Sequence, residues 1–359
     1  MLTGNKGEWS EIYTLLKIIG DKNLFAGDGD LNRIENLIFP IVKVLRDESN
    51  GTYQYSYDSD LVIITSNKEE FKVPINEFRE KASLLLSRLQ EVSNSSFSIP
   101  EIEEFINSFN CTSLKAKSTV KSDIRVVLHD QRTGVYPELG FSIKSQIGGA
   151  STLLNAGKTT NFVYGVKQPR ISENQALDIN SIKTRSKIKD RLERINELSS
   201  GLEFVGLESS VFEDNLTLID SLLPTLLSHI VYEFYSSTAS RTIDLINAVS
   251  RSNPMKFNQA SNHPYYLYKI KRLLTDIALG MMPSKVWTGE LDATGGYLIV
   301  KENGEVLCYH IYNRNEFEDY LVENTKLETA SSSRHGFGEI YADNGEMFFK
   351  LNLQVRFIK

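Results

Sequence analysis

Residues 122–149, SDIRVVLHDQRTGVYPELGFSIKSQIGG, constrain this chain more than any other stretch. Two runs rich in β-branched and aromatic residues flank a polar segment, and the pattern reads as strand, turn, strand. With the turn centred on Thr133 and Gly134, antiparallel pairing sets Asp123 opposite Lys144 and Arg125 opposite Ser142. Side chains alternate along a strand, so Ser142, Lys144 and Gln146 share one face while Ile143 points to the other. A carboxylate and an ammonium group far apart in sequence thereby converge. Glu138 has the same parity but lies roughly 20 Å along the strand from Lys144, too far to join them.

A carboxylate beside a lysine suits one chemistry well. The carboxylate offers a hard oxygen ligand to Mg²⁺, which keeps several of its waters. The ammonium group orients an attacking water and offsets charge developing on a phosphoryl centre. The same two residues across a hairpin also form ordinary surface ion pairs worth about 0–1 kcal/mol, and spacing alone leaves both readings open. Other metal chemistries have little support. Cys111 and Cys308 stand far apart and form no CxxC, and the histidines at 129, 229, 263, 310 and 335 fall in no HxH, HExxH or HxxxH pattern. Any catalytic metal must therefore be held mainly by carboxylates.

The net charge of −6 argues against indiscriminate nucleic-acid binding, yet residues 115–196 hold 15 basic and 7 acidic residues. That segment suggests a directed anionic partner, although solvated helix faces such as 183–194 supply part of the excess. No GxGxxG follows a strand and no P-loop is present, which leaves a small-molecule enzyme unsupported.

A chain of 359 residues predicts two lobes or one elaborated domain. WSEIYTLLKIIG reads as a helix, started near Gly7 and closed by Gly20. A second helix over 30–47 carries a kink at Pro40. TYQYSYDSDLVIIT alternates as a strand region, helices follow near 76–91 and 100–109, and KAKSTVK links them to the central hairpin. Residues 171–283 read as a helical block, with helices near 180–197, 215–235, 241–250 and 264–280. YLIVKENGEVLCYHIYN and EIYADNGEMFFKLNLQVRF each set Asn-Gly between strand-like runs, a strong hairpin signal, with a short helix NEFEDYLVEN between them. No apolar run is long enough for a membrane span and MLTGNKGEWSE lacks a secretory pattern, so a cytoplasmic protein is expected.

The pattern Asp123-x18-Ser142-x-Lys144 resembles the PD-(D/E)xK nuclease signature, with serine at the usual acidic position. GFSIKSQIGGASTLLNAGKTTNF, ALGMMPSKVW, DATGGYLIVKENGEVLCYHIYNRNEFEDYL and SSSRHGFG resemble the HpaII family of type II restriction endonucleases, and the likeness runs from GEWSEIY to LNLQVRF. The resemblance implies an α/β fold, a mixed sheet with flanking helices. It implies a mainly helical region 1–114 that lends its first helix to the active site. A nuclease core 115–359 follows, with a helical insertion 171–283 and C-terminal β hairpins for DNA recognition. It also implies a Mg²⁺-dependent enzyme, dimeric on palindromic duplex DNA of the CCGG type, leaving 5′-phosphate ends. Asp123 and Lys144 would be catalytic, flanked by Ser142 and Gln146.

Serine at 142 removes one expected metal ligand, and no acid lies between Lys144 and Glu173 to replace it. Related nucleases often bring a helical glutamate to the metal, so the resemblance implies Glu11 on the first helix as the substitute, with Glu8 the next. The small residues after Lys144 predict a helix start at which Ser145, Gln146 and Lys158 meet phosphate. Arg334, Arg314, His335 and Lys285 are candidates for reading G·C pairs. Two rivals remain at this level: a related enzyme that requires methylated cytosines, and a DNA-binding protein without catalysis, suggested by Ser142.

Overall fold

A computed structural model describes residues 1–66, 69–115, 122–131 and 133–359. Most of the KAKSTVK link therefore lies outside the described residues. The chain divides into two compact units, one of residues 1–151 with 291–320 and 359, the other of 152–290 with 321–358. In chain order the first unit supplies α1 (Lys6–Asp21), β1 (Asn23–Gly27), β2 (Arg33–Glu48), β3 (Gly51–Asp58), β4 (Leu61–Thr65), β5 (Glu70–Pro74), α2 (Ile75–Glu91), α3 (Pro100–Asn107), β6 (Ile124–Leu128) and β7 (Glu138–Ser145). The second unit follows with β8 (Thr152–Leu154), β9 (Asn161–Val166), α4 (Glu173–Ser181), α5 (Lys187–Leu198), β10 (Leu202–Leu207), α6 (Ser210–Ile219), α7 (Leu223–Ser236), α8 (Thr242–Ser252) and α9 (Tyr265–Leu279). The chain then adds β11 (Gly296–Val300), β12 (Val306–His310) and the start of α10 (Arg314–Glu323) to the first unit. It ends in the second with β13 (Thr325–Leu327), α11 (Ser332–His335), β14 (Ile340–Asp343), β15 (Glu346–Asn352) and β16 (Val355–Phe357).

The first unit is built on a nine-stranded mixed sheet in the order β1-β12-β11-β7-β6-β2-β3-β4-β5. β1 also pairs with β2, which closes β1, β12, β11, β7, β6 and β2 into a six-strand barrel. The β7–β11 and β1–β12 pairs are parallel and the rest antiparallel. α1 starts at Asn5, whose side chain accepts from the Glu8 N–H while Glu8 reaches back to the Asn5 N–H, a full capping box. It closes at Lys22 in the left-handed region, so Asn5 and Lys22, not Gly7 and Gly20, set its ends. Trp9, Ile12, Leu16 and Ile19 of this helix share a core with Val44, Tyr55, Val126, Phe141 and Leu298 of the sheet and with Phe78, Leu85 and Ile102 of α2 and α3. The buried hydroxyls of Ser10 and Thr14 donate to the carbonyls of Lys6 and Ser10, so the helix buries them without orphaned donors.

Most of the expected 30–47 helix is instead the strand β2, Arg33–Glu48. Apolar residues there satisfy both periods, and the β-branched and aromatic content decides for the strand once partners exist. Its first half pairs with β1 and its second half with β6 and β3. Pro40 sits where the partners change, opposite Asn23, and its carbonyl accepts the His129 N–H at 2.8 Å. A proline tolerated at a strand irregularity replaces the kinked helix. Asn303-Gly304 turns β11 into β12 as expected, and Gly304 takes φ +85 with the Tyr13 hydroxyl donating to its carbonyl.

In the second unit β10-β9-β15-β14 form an antiparallel sheet and β13-β16-β8 a smaller one. Asn344-Gly345 makes the β14–β15 hairpin. The helical block is present, with the expected 180–197 helix broken at 182–186 between α4 and α5. β10 interrupts it by pairing with β9, and Pro224 in the first turn of α7 splits the expected 215–235 helix into α6 and α7.

Arg46 and Glu48 form an ion pair at 2.7 Å with side chains 1% and 0% exposed. Arg46 also donates to the carbonyls of Ser113 and Leu114, and Glu48 accepts from the Ser113 hydroxyl. This pair holds the segment leading to Lys115 on the sheet. Glu48→Ala, which strands a buried guanidinium, is expected to destabilise the protein by about 3–5 kcal/mol in urea denaturation, and a loss under about 1 kcal/mol would contradict the reading.

Candidate active site

β6 and β7 pair antiparallel with Ile124 opposite Phe141 and Arg125 opposite Gly140. Continuing that register sets Asp123 opposite Ser142, so the expected pairing of Asp123 with Lys144 and Arg125 with Ser142 is displaced by two residues. The cause is the turn. The Gly134 N–H donates to the Asp130 carbonyl at 2.7 Å, and Gly134 takes φ +71. The Thr133 hydroxyl donates to the Asp130 carboxylate. Glycine therefore ends the turn in the left-handed region instead of occupying its centre. A shift of two keeps every side chain on its face, so the expected convergence survives. The backbone N–H of Asp123 donates to the Phe141 carbonyl at 2.8 Å, and its Oδ2 accepts the Ile143 N–H at 2.7 Å. Both halves of this residue are fixed by β7.

β11 runs parallel to β7 and sets Tyr297 beside Ser142 and Ile299 beside Lys144. The Lys144 ammonium lies 5.2 Å from the centroid of the Tyr297 ring. α1 is tied to the end of β7 by a hydrogen bond between the Ser10 and Ser145 hydroxyls, 2.8 Å apart. One residue further along the helix is Glu11, close enough to Asp123 and Lys144 to interact electrostatically with both. Burial and then the nearby Asp123 carboxylate push the Glu11 carboxyl up to about 7. Burial also raises Asp123, against the Ile143 N–H and the charges of Lys144 and Lys115, which lower it. Lys144 is lowered by burial, against the two carboxylates, which raise it.

Glu8 has another occupation. Besides capping α1 it pairs with Lys115 at 3.0 Å, and the Asn5 N–H and Lys115 hold its carboxyl low. Glu11 and Lys144 line a cleft of about 610 Å³ with Lys6, Lys115, Ile143 and Gly148. Lys6 and Lys115 escaped the sequence reading, since neither carries a local signal beyond its charge. Tyr297 was equally hidden, because parallel pairing leaves no mark on nearby residues.

The remaining candidates are scattered. Ser142 is 8% exposed and sits in the register beside Asp123 and Tyr297. Gln146 continues β7, its N–H donating to the Val300 carbonyl at 2.8 Å. Ser145 shares a hydrogen bond with the Ser10 hydroxyl and accepts from the Ile147 N–H, so it docks the helix. The helix start expected after it does not form. Residues 152–154 pair with β16 as β8, and Lys158–Thr160 is a single 3₁₀ turn leading into β9. In the first unit Arg314 opens α10 and pairs with Glu318 at 2.6 Å. In the second unit Arg334 and His335 belong to the one-turn α11, and Lys158 Cε lies 4.0 Å from where a side chain on Gly336 would begin. Lys285 is exposed and its carbonyl accepts from Asn215.

No cluster of three or more His, Cys, Asp or Glu suited to a metal exists among the described residues. Two carboxylates, Asp123 and Glu11, remain as an acidic pair. That set fits Mg²⁺, which takes one or two protein carboxylates and completes its shell with water and phosphate oxygen. Two mutually repelling, partly desolvated carboxylates are also poorly stable without a cation.

A family model described as HpaII restriction endonuclease matches residues 5–357. The chain is 49% identical over 361 residues to the type II restriction enzyme HpaII of Haemophilus parainfluenzae, covering 99% of each chain. No solved structure matches it.

The Glu11 carboxyl is raised from its ordinary 4.5 to about 7, so folding becomes less favourable as pH rises across that interval. The penalty is absent below it and complete above it. With chelator present, Glu11→Gln should raise the melting temperature at pH 8 by a few degrees and leave it unchanged at pH 4.5. An equal change at both pH values would contradict the electrostatic origin.

Proposed function

The chain belongs to the HpaII restriction endonuclease family and is a type II site-specific deoxyribonuclease, and on that footing we propose that it cleaves CCGG-type sites in duplex DNA through Asp123, Glu11 and Lys144. The observation that carries the residue assignment is the half-buried Lys144 and Glu11 at one cleft, with Asp123 near enough to interact electrostatically with both. Family membership sets aside the reading as a DNA-binding protein without catalysis. We read the centre as a PD-(D/E)xK arrangement in which Glu11 from α1 replaces the acid missing at Ser142.

Mg²⁺ bound by Asp123 and Glu11 would supply positive charge at the scissile phosphate and lower the pKa of a coordinated water. The chain's own groups do the positioning. The Ile143 N–H fixes the Asp123 carboxylate, and the Ser10–Ser145 hydrogen bond fixes the helix that carries Glu11. Lys144, packed against the Tyr297 ring, directs its ammonium N–H groups to the attacking water and to the phosphoryl oxygen that gains charge. Water adds at phosphorus as the 3′-oxygen departs, giving 5′-phosphate and 3′-hydroxyl ends. Lys115 and Lys6 at the cleft add to the attraction for the DNA backbone. Arg334, His335, Lys158, Arg314 and Lys285 are proposed DNA contacts, and a two-fold symmetric site favours a dimer on DNA.

Asp123→Ala and Lys144→Ala should each lower plasmid cleavage in Mg²⁺ by about 10²–10³-fold or more while DNA binding in Ca²⁺ persists. Full activity in either variant would remove the assignment. Sequencing the ends of digested phage DNA should return CCGG. Unmethylated DNA is expected to be cut, and cleavage confined to methylated DNA would establish a modification-dependent enzyme instead.

A further inference from the structure

In the second unit, two exposed turns carry cations. One is the 3₁₀ turn with Lys158, and the other is α11 with Arg334. Beneath them lie two asparagines, Asn161 at 0% and Asn352 at 1% exposure, directly opposite each other in the β9–β15 pair. The Asn352 amide donates to the Gly157 carbonyl at 2.8 Å, to Thr160 Oγ1 at 3.1 Å and to Asn161 Oδ1 at 2.7 Å. The Asn161 amide donates to the His335 carbonyl at 2.8 Å and to Glu208 at 2.7 Å. A single buried diamide therefore grips the backbone of both turns. The far end of the second turn is held as well, because Arg191, also 0% exposed, donates to the carbonyl of Gly338.

Burying uncompensated polar atoms disfavours folding, and Asn352 Oδ1 has no hydrogen-bond partner among the described residues. An apolar pair at these cross-strand positions would avoid that cost. What it would lose is the fixed relation between two surface turns whose outward side chains are cationic. Recognition of a base edge by a bidentate arginine needs placement to a fraction of an ångström, and exposed loops reach that only when supported from below.

We propose that Asn161 and Asn352 are positioning residues for sequence discrimination, holding Arg334 and Lys158 in a preformed register against duplex DNA. This rests on the nuclease reading and on those turns meeting DNA. Asn352 acts through backbone carbonyls and touches no nucleotide. Its removal should loosen both turns together, relaxing the choice of site more than the rate of phosphodiester cleavage.

The test compares cleavage of a cognate duplex with duplexes changed at one base pair, using full-length wild type, Asn352→Leu, Arg334→Ala and the double variant, each corrected for its folded fraction. Wild type should discriminate strongly. Arg334→Ala and Asn352→Leu should each lower the discrimination ratio by about tenfold or more with a smaller change in kcat on the cognate site, and the double variant should be no worse than the poorer single. Unchanged discrimination in either single variant, or losses that simply multiply, would overturn the proposal while wild-type cleavage leaves the nuclease reading intact. Failure of wild type to cut any specific site would instead overturn that reading. If Asn352→Leu does not fold, hydrogen exchange on wild type decides: residues 157–160 and 332–336 should exchange slowly without DNA, and exchange at free-loop rates would refute the claim.

Discussion

Asp123 and Glu11 repel one another in a place where water is partly excluded, and the first unit is arranged to hold them there. The barrel strand β7 fixes Asp123 twice, through the Phe141 carbonyl and the Ile143 N–H. The capping box, the buried apolar stripe and the Ser10–Ser145 bond hold α1, and Glu11 with it, against the same strand. Glu11 is raised to about 7 first by burial and then by the Asp123 carboxylate, against the charges of Arg46 and Lys115. A site strained in this way gains most from a divalent cation, the cofactor proposed for phosphodiester cleavage. Stability given up at such a centre is replaced elsewhere in the unit by a large core.

The two units use buried polar groups in different ways. In the first, Arg46 and Glu48 hold the segment that brings Lys115 to Glu8, leaving Glu11 as the acid beside Asp123. In the second, Asn161, Asn352 and Arg191 hold exposed turns by their carbonyls. The second leaves Asn352 Oδ1 and Arg191 Nε without partners among the described residues, a cost that the hold on the turns must offset. Among the described residues no helix is long and apolar enough to cross a membrane.

The hairpin around Asp123 and Lys144 was legible because a strand's two-residue period survives a register error of two. The register itself was not, since it depended on which turn position Gly134 occupies. Both Asn-Gly hairpins were legible for the converse reason: that dipeptide fits the centre of a tight turn. β2 was misread as a helix because its apolar residues satisfy both periods and its partners are distant in sequence. The supposed helix start after Ser145 failed in the same way, its small residues serving β8 and a 3₁₀ turn instead. Glu11 was singled out by the resemblance together with the lack of a nearer acid, whereas Lys115 depends on its pairing with Glu8 on α1 and Tyr297 on the parallel β7–β11 pairing, which no local pattern announces. The asparagine pair was invisible for that reason too, as Asn161 and Asn352 meet only when β9 and β15 align.

Anomalous scattering from Mn²⁺ in crystals of the protein with uncut duplex DNA examines the acidic pair without relying on activity. The account predicts a manganese peak within bonding distance of carboxylate oxygens from both Asp123 and Glu11, with the Lys144 ammonium beside the same phosphate. A peak bound to Asp123 alone with Glu11 turned away, or one held by other residues, would contradict it.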